Sequence, residues 1–400
     1  MSELSQSTFS GFSYPEIRNM LQEKGIEVSL DVISPHTVKK IEYVKSYVNH
    51  WLYVIVNTSN WIFFMDIMSN AGIYENEYLC SSIEVLNVFI GYAKNHPDKK
   101  FILCCNDLAQ DRFESMSEIF NLYKTRLKKE GINNIDLYMD CMDAINYLPY
   151  VDNKFHLRSI RGFQKCVLLY VDPYNFISKQ LATSVRHFLK NVYCELILNF
   201  YANDYTRNIN NVKCIEHREE IRDFVKTYCE IDEQSPKVEL VRDVFIKNIE
   251  KSTMVKYHYY FTMKNERNAP LYYLMFFTPS LVGLEKVKDA TWKVLSHHDE
   301  YCSSYKERDA DLVNLFNETP EDEAFAVLLE KVIALLKPYN DRAISYQLLE
   351  EICLQNTFAK KGHLIEKIIK PLINKNKLVK MGETSGRNYT GDKYTVKGIN

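Results

Sequence analysis

The stretch "FFMDIMSNAGIYENEYLCSS", residues 63–82, decides the fold class. An apolar run ends in Asp66, a turn of small residues with Gly72 follows, and a helical pattern begins at Ser81. A strand, a tight turn and a helix in this order begin a nucleotide-binding fold, in which the turn faces the ligand. Such turns usually carry two or three glycines, and here Asn70 stands where the first one is expected. The stretch is therefore typical of a cofactor loop by position and altered by sequence.

Apolar runs and helical patterns alternate on both sides of this stretch. The runs are continuously apolar, as expected of strands whose two faces are covered by helices. The five runs lie at residues 61–67, 99–107, 134–140, 164–174 and 193–201. A later pair of β-rich runs predicts a hairpin. The pattern indicates an α/β protein with a Rossmann-like class I methyltransferase fold, in which a mostly parallel seven-stranded sheet ends in that hairpin.

The chain divides into segments of different composition. Residues 1–35 form an N-terminal extension, residues 36–308 the methyltransferase-like domain, and residues 309–400 a second domain. A charged helical insertion spans about residues 204–251. Three helical patterns followed by two short strands around a polar loop predict a winged helix-turn-helix in the second domain.

Composition narrows the class of protein. The 400-residue chain has 50 Lys and Arg against 52 Asp and Glu, so no overall positive charge attracts it to nucleic acid and such a contact needs a local patch. No apolar run approaches the length of about 20 residues that a membrane helix needs. Ten cysteines without a Cys-x-x-Cys pair favour reduced thiols, mostly within the core. We expect a cytoplasmic protein without a membrane contact.

Four aspartates mark the ends of the first four predicted strands: Asp66, Asp107, Asp140 and Asp172. In a fold that binds S-adenosylmethionine (SAM), the loop after the first strand faces the methionine end and an acid after the second meets the ribose. A polar group after the third meets the adenine, and the fourth strand presents the reacting group. We therefore predict a cofactor site at Asp66, Asn70, Gly72, Asp107 and Asp140. The alternative is that each aspartate merely caps a helix.

The tripeptide Asp172-Pro173-Tyr174 predicts the catalytic group. Amino methyltransferases use related motifs, in which a carboxylate and a backbone carbonyl accept hydrogen bonds from a planar amine while an aromatic ring stacks on the base. Positioning and polarisation of the nitrogen then favour methyl transfer. The alternative is a strand-ending turn in which the proline breaks the strand and the tyrosine packs.

Two further groups of residues are candidate sites by residue type. Residues 297–300 read His-His-Asp-Glu, but adjacent histidines rarely converge on one ion, so we expect a solvated helix end and no metal. In the second domain, basic residues predict a face that contacts nucleic-acid phosphates. The face comprises Lys360, Lys361, Lys367 and Arg387. A solvated helix, or a domain that docks on protein, is the alternative.

Several short segments, in order, resemble the three-Cys-motif partner family of bacterial methyltransferase-like proteins. The family's Thr-x-x-Lys helix is matched by Thr37 and Lys40, and its "D-x-F-A-G-x-G" loop by "DIMSNAGIY". Its Asp-Pro-aromatic strand end is similar to "VDPYNF", and its later strands are similar to "LILNF" and "YYLMFFTPS". The resemblance covers roughly residues 36–400. It implies a class I methyltransferase fold, SAM as cofactor and a protein partner that resembles radical-SAM proteins.

Two functions stay open from the sequence. The first is a SAM-dependent methyltransferase that acts on an amine of a nucleic-acid or partner-bound substrate. The second is a catalytically degenerate adaptor or phage-defence component that binds nucleic acid or a protein. An open groove among the strand ends favours the enzyme, whereas a groove filled by Met68, Ile73 and Tyr74 favours the adaptor.

Overall fold

The computed structural model describes most of the chain. The described residues are 9–26, 30–159, 165–265, 267, 269–294, 297–298, 303–305, 320–381 and 391–398. The helices are α1 (Tyr14–Glu23), α2 (Pro35–Ile55), α3 (Ser81–Asn95), α4 (Gln110–Lys129), α5 (Ala144–Phe155), α6 (Lys179–Asn191), α7 (Ala202–Asn208), α8 (Ile215–Asp223), α9 (Val238–Ser252), α10 (Leu281–Val294), α11 (Pro320–Leu336), α12 (Tyr346–Asn356) and α13 (Lys370–Asn374).

The strands fall into two sheets. The first contains β1 (Trp61–Asp66), β2 (Lys100–Asn106), β3 (Ile135–Asp140), β4 (Lys165–Val171), β5 (Cys194–Phe200), β6 (Tyr257–Lys264), β7 (Pro270–Thr278), β8 (His297–His298) and β9 (Ser303–Tyr305). The second contains β10 (Ala343–Ser345), β11 (Leu378–Met381) and β12 (Lys393–Val396).

The large sheet has the strand order β3-β2-β1-β4-β5-β7-β6, and the short strands β9 and β8 extend it beyond β6. Strands β1 to β5 are parallel, and β7 inserts antiparallel between β5 and β6. Five parallel strands closed by a late hairpin form a Rossmann-like sheet of the class I methyltransferase type. The predicted seven strands are confirmed, and the small β8–β9 hairpin is an addition that the sequence did not indicate.

Helices cover both faces of this sheet, as the continuous apolar strands predict. Successive side chains of a strand point to opposite faces. In β1, Ile62 and Phe64 pack into the core beneath α2, α3, α4 and α10, whereas Phe63 and Met65 pack into the core beneath α5, α6 and α9. All four side chains are fully buried. This two-sided burial fixes which side chains of a strand face each layer of helices.

The chain order reverses between β1 and β4, which are neighbours in the sheet. Their register pairs Trp61 with Lys165 at one end and Asp66 with Tyr170 at the other, so the two strands end level. In open α/β sheets, ligands bind outside the carboxyl ends of the strands at this switch point. The loops after β1 and β4 are therefore placed side by side.

The C-terminal residues form a unit with its own hydrophobic core. Its described elements are α11, β10, α12, an irregular third helix over residues 361–374, β11 and β12, and the antiparallel sheet has the order β10-β12-β11. The third helix includes a π-helical turn at Leu364–Ile369 before α13. The order of elements follows the sequence prediction, whereas the assignment as a winged helix and the domain boundaries stay predictions.

One local prediction is wrong. His297 and His298 were expected at a solvated helix end, but they form β8, which pairs with β9. Helix α10 already ends at Val294, so the histidines begin a new segment. Asp299 and Glu300 lie outside the described residues.

Across the described ranges, no helix combines the length and the apolar character needed to cross a lipid bilayer.

Candidate functional site

A polar cavity of about 340 Å³ opens at the carboxyl edge of the sheet between β1 and β4. The loop after β1 contributes Asp66 and Asn70 to its wall, and the loop after β4 contributes Asp172, Pro173 and Tyr174. The amino ends of α2 and α3 face it from the side, and so does the segment before α2. The structure thus brings five of the predicted site residues together.

Asp66 is 2% exposed and is held at the base of the cavity. The Ser82 hydroxyl donates to its Oδ2 at 2.6 Å, and the Met68 N–H donates to its Oδ1 at 3.2 Å. Burial raises the pKa of the Asp66 carboxyl to about 7, although these two hydrogen bonds lower it. Because its charge changes near neutral pH, Asp66 can hold a cation or a proton.

The loop after β1 forms the predicted turn with its unusual residue. Asn70 has a φ of 62°, in the left-handed region that asparagine tolerates better than most residues. Its side-chain amide donates to Asp31 Oδ2 at 3.3 Å, and its Oδ1 accepts from the Ala71 N–H. Gly72 has a φ of 95°, and a Cβ there would lie 2.5 Å from Cδ1 of Ile119 in α4. The positive φ favours glycine at this position, and Gly72 does not line the cavity.

The acids after β2 and β3 lie outside the cavity wall as well. Asp107 accepts from the Ala109 N–H at 2.9 Å and from the Asn70 N–H at 3.1 Å, so it stabilises the loop after β1. The Asp140 carboxylate lies 3.8 Å from the Lys154 ammonium. Neither acid lines the cavity in the conformation described. Their assignment to a ribose and an adenine stays a prediction.

Asp172 lies at the centre of a buried network that the sequence did not predict. Lys40 donates to its Oδ2 at 2.5 Å and the Tyr170 hydroxyl donates to the same oxygen at 3.0 Å, while Asn199 donates to Oδ1 at 2.7 Å. Burial alone would lower the pKa of Lys40, but the Asp172 carboxylate holds it above its ordinary value. Both carboxylate oxygens are thus already hydrogen-bonded.

Lys40 and Asn199 lie in segments that resemble the family, and the sequence alone indicates no chemical role for either. A signal for Lys40 is present in the sequence. It lies in the apolar stripe of α2, one residue before Ile41 and four before Val44, where a lysine must find a partner when it is buried. It is 5% exposed. The partner itself is 132 residues away and could not be read from the helix pattern.

Tyr174 stands at the mouth of the cavity and is 62% exposed. Its hydroxyl donates to Asp31 and accepts from Arg112 Nη2, the latter at 2.6 Å. The Arg112 guanidinium also lies over the tyrosine ring, 4.9 Å from its centroid. One face of a ring that would stack on a substrate is therefore occupied by an arginine of α4 in this conformation.

The groove is neither fully open nor filled. Met68 and Tyr74 line the cavity, whereas Ile73 is fully buried in the core and leaves the cavity free. Space remains between Asp66 and Asp172, but the cavity does not extend to Asp107. The groove is thus only partly open, so its shape alone does not decide between the methyltransferase and the adaptor.

The residues present fit the amino-acid end of SAM. The amino end of the 21-residue helix α2 carries a partial positive charge, and its residues Ser34, Thr37 and Lys40 line the cavity, which suits a carboxylate. The Asp66 carboxylate, which also lines the cavity, suits an ammonium group. The adenosine end has fewer partners, because Asp107 is engaged by backbone N–H groups and Arg112 lies beside it, 4.0 Å away.

The predicted phosphate-contacting residues of the C-terminal unit lie against α10 and α11. Lys361 is held between Glu285 at 2.9 Å and Glu350 at 2.8 Å, and these carboxylates raise its pKa although burial opposes them. The Lys360 ammonium lies 5.6 Å from the ring centroid of Trp292, and that of Lys367 lies 5.4 Å from the ring of Phe325. Arg387 lies outside the described residues.

No protein-family model matches the sequence, and no curated protein sequence matches it. Solved structures that are similar include protein LPL1258 of the DUF519 family from Legionella pneumophila. It is 10% identical with a TM-score of 0.37, over 62% of this chain and 88% of that one. Magnesium protoporphyrin IX methyltransferase from Synechocystis, solved with S-adenosylhomocysteine (SAH), is 12% identical with a TM-score of 0.30, over 66% of this chain and 99% of that one.

A third similar structure is a Listeria monocytogenes protein assigned to the class I SAM-dependent methyltransferases. It is 9% identical with a TM-score of 0.29, over 70% of this chain and 71% of that one. These values are too low to bear on the ligand or the reaction. The fold assignment rests on the strand order, and the site rests on the cavity.

Proposed function

We propose that the chain is a SAM-dependent methyltransferase of the three-Cys-motif partner type, acting on an amine of a nucleic-acid or partner-bound substrate. The observation that supports this most is the polar cavity at the switch point, where Asp66 and Lys40 face it together with Asp172-Pro173-Tyr174. When bound, SAM supplies a methyl group on a sulfonium centre. The residues of the chain bind the cofactor, orient the substrate and exclude water from the site.

Lys40 and Asp66 bind different charged groups of the cofactor. The Lys40 ammonium and the amino end of α2 hold the carboxylate, while Asp66 accepts from the ammonium. Lys40 keeps one contact to Asp172 in doing so, because an ammonium has three N–H donors. The carboxylate of Asp172 is thereby fixed in orientation by Lys40, Tyr170 and Asn199.

The Asp172-Pro173-Tyr174 turn presents the substrate. A carboxylate accepts up to four hydrogen bonds, so Asp172 retains capacity for one from an amine, and the Pro173 carbonyl offers a second acceptor. Tyr174 stacks on the ring that bears the amine once Arg112 moves aside. An exocyclic amine within a duplex is out of reach, so the target is single-stranded, flipped out or a free small molecule.

Cofactor binding tests the first half of this proposal. We expect weak binding of SAM by calorimetric titration, and at least threefold tighter binding by Arg112→Ala, because the contact over the mouth is removed. Arg126→Ala is the matched control, since Arg126 lies on the same helix and pairs with Glu130 at 2.8 Å. Equal affinity in Arg112→Ala and wild type would show that the mouth contact does not limit binding.

Methyl transfer tests the second half. We expect radiolabelled methyl transfer from SAM to an acceptor in total RNA, DNA or protein, measured with and without the three-Cys-motif partner. Tyr174→Ala should lower the rate at least about fivefold, because stacking of a base on an aromatic ring contributes about 1–3 kcal/mol. Tyr174→Phe retains the ring and should stay close to wild type. Equal rates for the alanine and phenylalanine variants would remove Tyr174 from the site.

A second candidate is a methyltransferase-fold adaptor or phage-defence component without turnover. It is favoured by one observation, the three hydrogen bonds that Asp172 already accepts from Lys40, Tyr170 and Asn199, beneath a mouth that contacts among Asp31, Arg112 and Tyr174 narrow. The absence of SAM binding in wild type and in Arg112→Ala would favour this function. In that case the partner protein should still bind, which co-purification with the three-Cys-motif protein measures.

We also propose that the C-terminal unit is a winged helix that contacts nucleic acid or protein. Its order of helices and strands supports the first part. If it binds nucleic acid, replacing Lys360 and Lys367 together by glutamate should weaken binding and flatten its dependence on salt. Lys361→Gln is the control, because Lys361 already pairs with Glu285 and Glu350 and should contribute little.

Fluorescence anisotropy with a single-stranded and a duplex oligonucleotide at several salt concentrations measures this prediction. A salt-independent interaction, or none with either oligonucleotide, would indicate a protein-docking role for the unit.

A further inference from the structure

The turn that carries Tyr174 is short and is fixed at both ends. At its start, the Asp172 carboxylate accepts the three hydrogen bonds described above. At its other end the side chain of Phe176 is buried, whereas Tyr174 and Asn175 are exposed. Only residues 173–175 lie between the two fixed points, so the place of the Tyr174 ring depends on both.

The Phe176 end is held by the helical segment that follows β5. The Phe176 N–H donates to Asp204 Oδ2 at 2.8 Å. Its ring lies in an aromatic cluster, with centroid distances of 4.9 Å to Phe200, 5.2 Å to Tyr205 and 5.1 Å to Phe224. Phe224 directly follows α8. The segment that the sequence predicts as a charged helical insertion thus packs against this turn.

Asp204 is itself held by two further side chains. The Asn208 amide donates to its Oδ1 at 2.7 Å, and His217 Nε2 lies 2.8 Å from its Oδ2. The other ring nitrogen of His217 lies 3.4 Å from a carboxylate oxygen of Glu220. Burial lowers the pKa of His217, but the hydrogen bonds and charges of Asp204 and Glu220 outweigh burial and hold that pKa above its ordinary value. The imidazolium carries a proton on both ring nitrogens, so it can donate to both carboxylates at once.

These groups are partly shielded from water and lie away from the cofactor. The side chain of Asp204 is 20% exposed and that of His217 is 17% exposed. Charge-assisted hydrogen bonds are the stronger ones, and removal from water strengthens them further. Asp204 and His217 lie outside the wall of the polar cavity. Any effect that they have on the site is therefore transmitted through the turn.

We propose that Asp204 and His217 are positioning residues that hold the turn after β4, so that the Tyr174 ring is in place to stack on the ring that bears the amine. This role rests on the proposed methyl transfer, whereas the anchoring of the turn does not. Asp204 acts directly on the backbone at Phe176, and His217 acts through Asp204. Since small misplacements of a substrate-positioning group cost rate, the charged helical segment supports the acceptor side of the site.

Amide hydrogen exchange, followed by mass spectrometry of overlapping peptides that cover residues 173–178, tests the anchoring without any need for activity. In Asp204→Ala we expect the Phe176 amide to exchange at least about tenfold faster, because its charged acceptor is gone. In His217→Ala the exchange should be about threefold faster, because Asp204 loses one of the groups that hold it. His217→Gln should stay close to wild type, since the glutamine amide can donate to Asp204 in place of Nε2.

Methyl transfer tests the use of this anchor, with total cell RNA, DNA and protein as separate acceptors at varied concentration. His217→Ala should raise the apparent KM for the methylated acceptor at least about threefold, and His217→Gln should restore it. The Kd of SAM should be unchanged in both variants, because His217 does not line the cavity. Glu219→Gln is the matched control, since Glu219 lies in the same helix and is 55% exposed, and it should match wild type throughout.

The two measurements separate the anchoring from the proposed function. A wild type that methylates none of the three acceptors would overturn the proposed function and the acceptor role with it, whereas faster exchange at Phe176 would still establish the anchor. Unchanged exchange at Phe176 in Asp204→Ala, or equal exchange in His217→Ala and His217→Gln, would overturn the anchoring even in an active enzyme. Faster exchange throughout the chain, with a lower melting temperature, would show a general loss of stability and would also overturn it.

Discussion

Replacing either member of the Lys40–Asp172 pair should destabilise the protein by about 3–5 kcal/mol, the usual result of leaving one charge of a buried pair without its partner. The side chain of Lys40 is 6% exposed, so water cannot replace the carboxylate when Asp172 is changed. Asp172 is 19% exposed and lines the cavity, so the loss from Lys40→Met should lie at the lower end of this range. Lys40→Met and Asp172→Asn each break the pair. Urea unfolding followed by circular dichroism gives the free energy of unfolding of each variant.

A double variant measures how much of the lost stability comes from the interaction between the two charges. Because Lys40→Met together with Asp172→Asn removes both charges and keeps the amide within reach of Asn199, we expect part of the lost stability to return. Additive losses would instead show that the two side chains do not interact.

The neighbouring residue provides a matched control. Lys39 pairs with Glu42 on the exposed face of the same helix at 2.7 Å. Surface pairs contribute little, so Lys39→Met should change stability by less than about 1 kcal/mol. A loss as large as that of Lys40→Met would mean that the effect comes from helix α2 and not from burial of the charge.

The pair also changes how variants of Asp172 are interpreted. An alanine at this position removes an acceptor for a substrate amine and, at the same time, leaves the Lys40 ammonium buried without its carboxylate. Loss of methyl transfer by Asp172→Ala would therefore mix two causes. For this reason the exposed Tyr174 is the better probe of catalysis.

The fold could be predicted from the sequence because its signals are local. Each strand of the large sheet is one continuous apolar run, and a helical pattern follows each of the first four. The carboxyl ends of parallel strands meet at one edge, so Asp66 and Asp172 could be placed together from their positions alone. The structure brings both to one cavity.

The rest of the candidate site depends on contacts between distant segments. Asp31 reaches Tyr174 across 143 residues and Lys40 reaches Asp172 across 132, and no pattern within a helix or strand indicates either partner. Gly72 has the positive φ that suits a glycine in the turn, but it does not line the cavity in this conformation, so its cofactor contact stays a prediction.

In the C-terminal unit as well, a local charge pattern could not show which lysines pair with carboxylates from distant segments. Lys361 was predicted to contact phosphates because it lies in a lysine-rich helix. The structure places it between Glu285 of α10 and Glu350 of α12, which are far apart in sequence. A cluster of lysines predicts positive charge, but it does not show which of the charges are already paired.

The pH dependence of stability should report on Asp66. Its pKa in the folded protein is about 7, against an ordinary value of 3.8 for a free aspartate, because burial disfavours the charged form. Below pH 4 the carboxyl is protonated in both states and the full contribution is present. As the pH rises, the unfolded chain ionises first, so stability is lost progressively up to about pH 7 and stays low above it.

Asp66→Asn removes this titration and should be more stable than wild type at pH 8. Each pKa unit corresponds to about 1.4 kcal/mol, so the shift sets an upper limit of about 4 kcal/mol for the gain. At pH 4 the two proteins should be nearly equally stable, since the asparagine resembles the protonated acid in shape. Urea unfolding at pH 4, 6 and 8 measures the difference.

Glu114→Gln, on the exposed face of α4, is the control and should follow wild type at each pH within about 0.5 kcal/mol. If wild type and Asp66→Asn instead differ by the same amount from pH 4 to pH 8, the Asp66 carboxyl does not titrate in this range. A ligand ammonium that binds beside Asp66 stabilises its charged form and so lowers its pKa. Saturating SAH should therefore shrink the difference at pH 8, which links this titration to the proposed cofactor site.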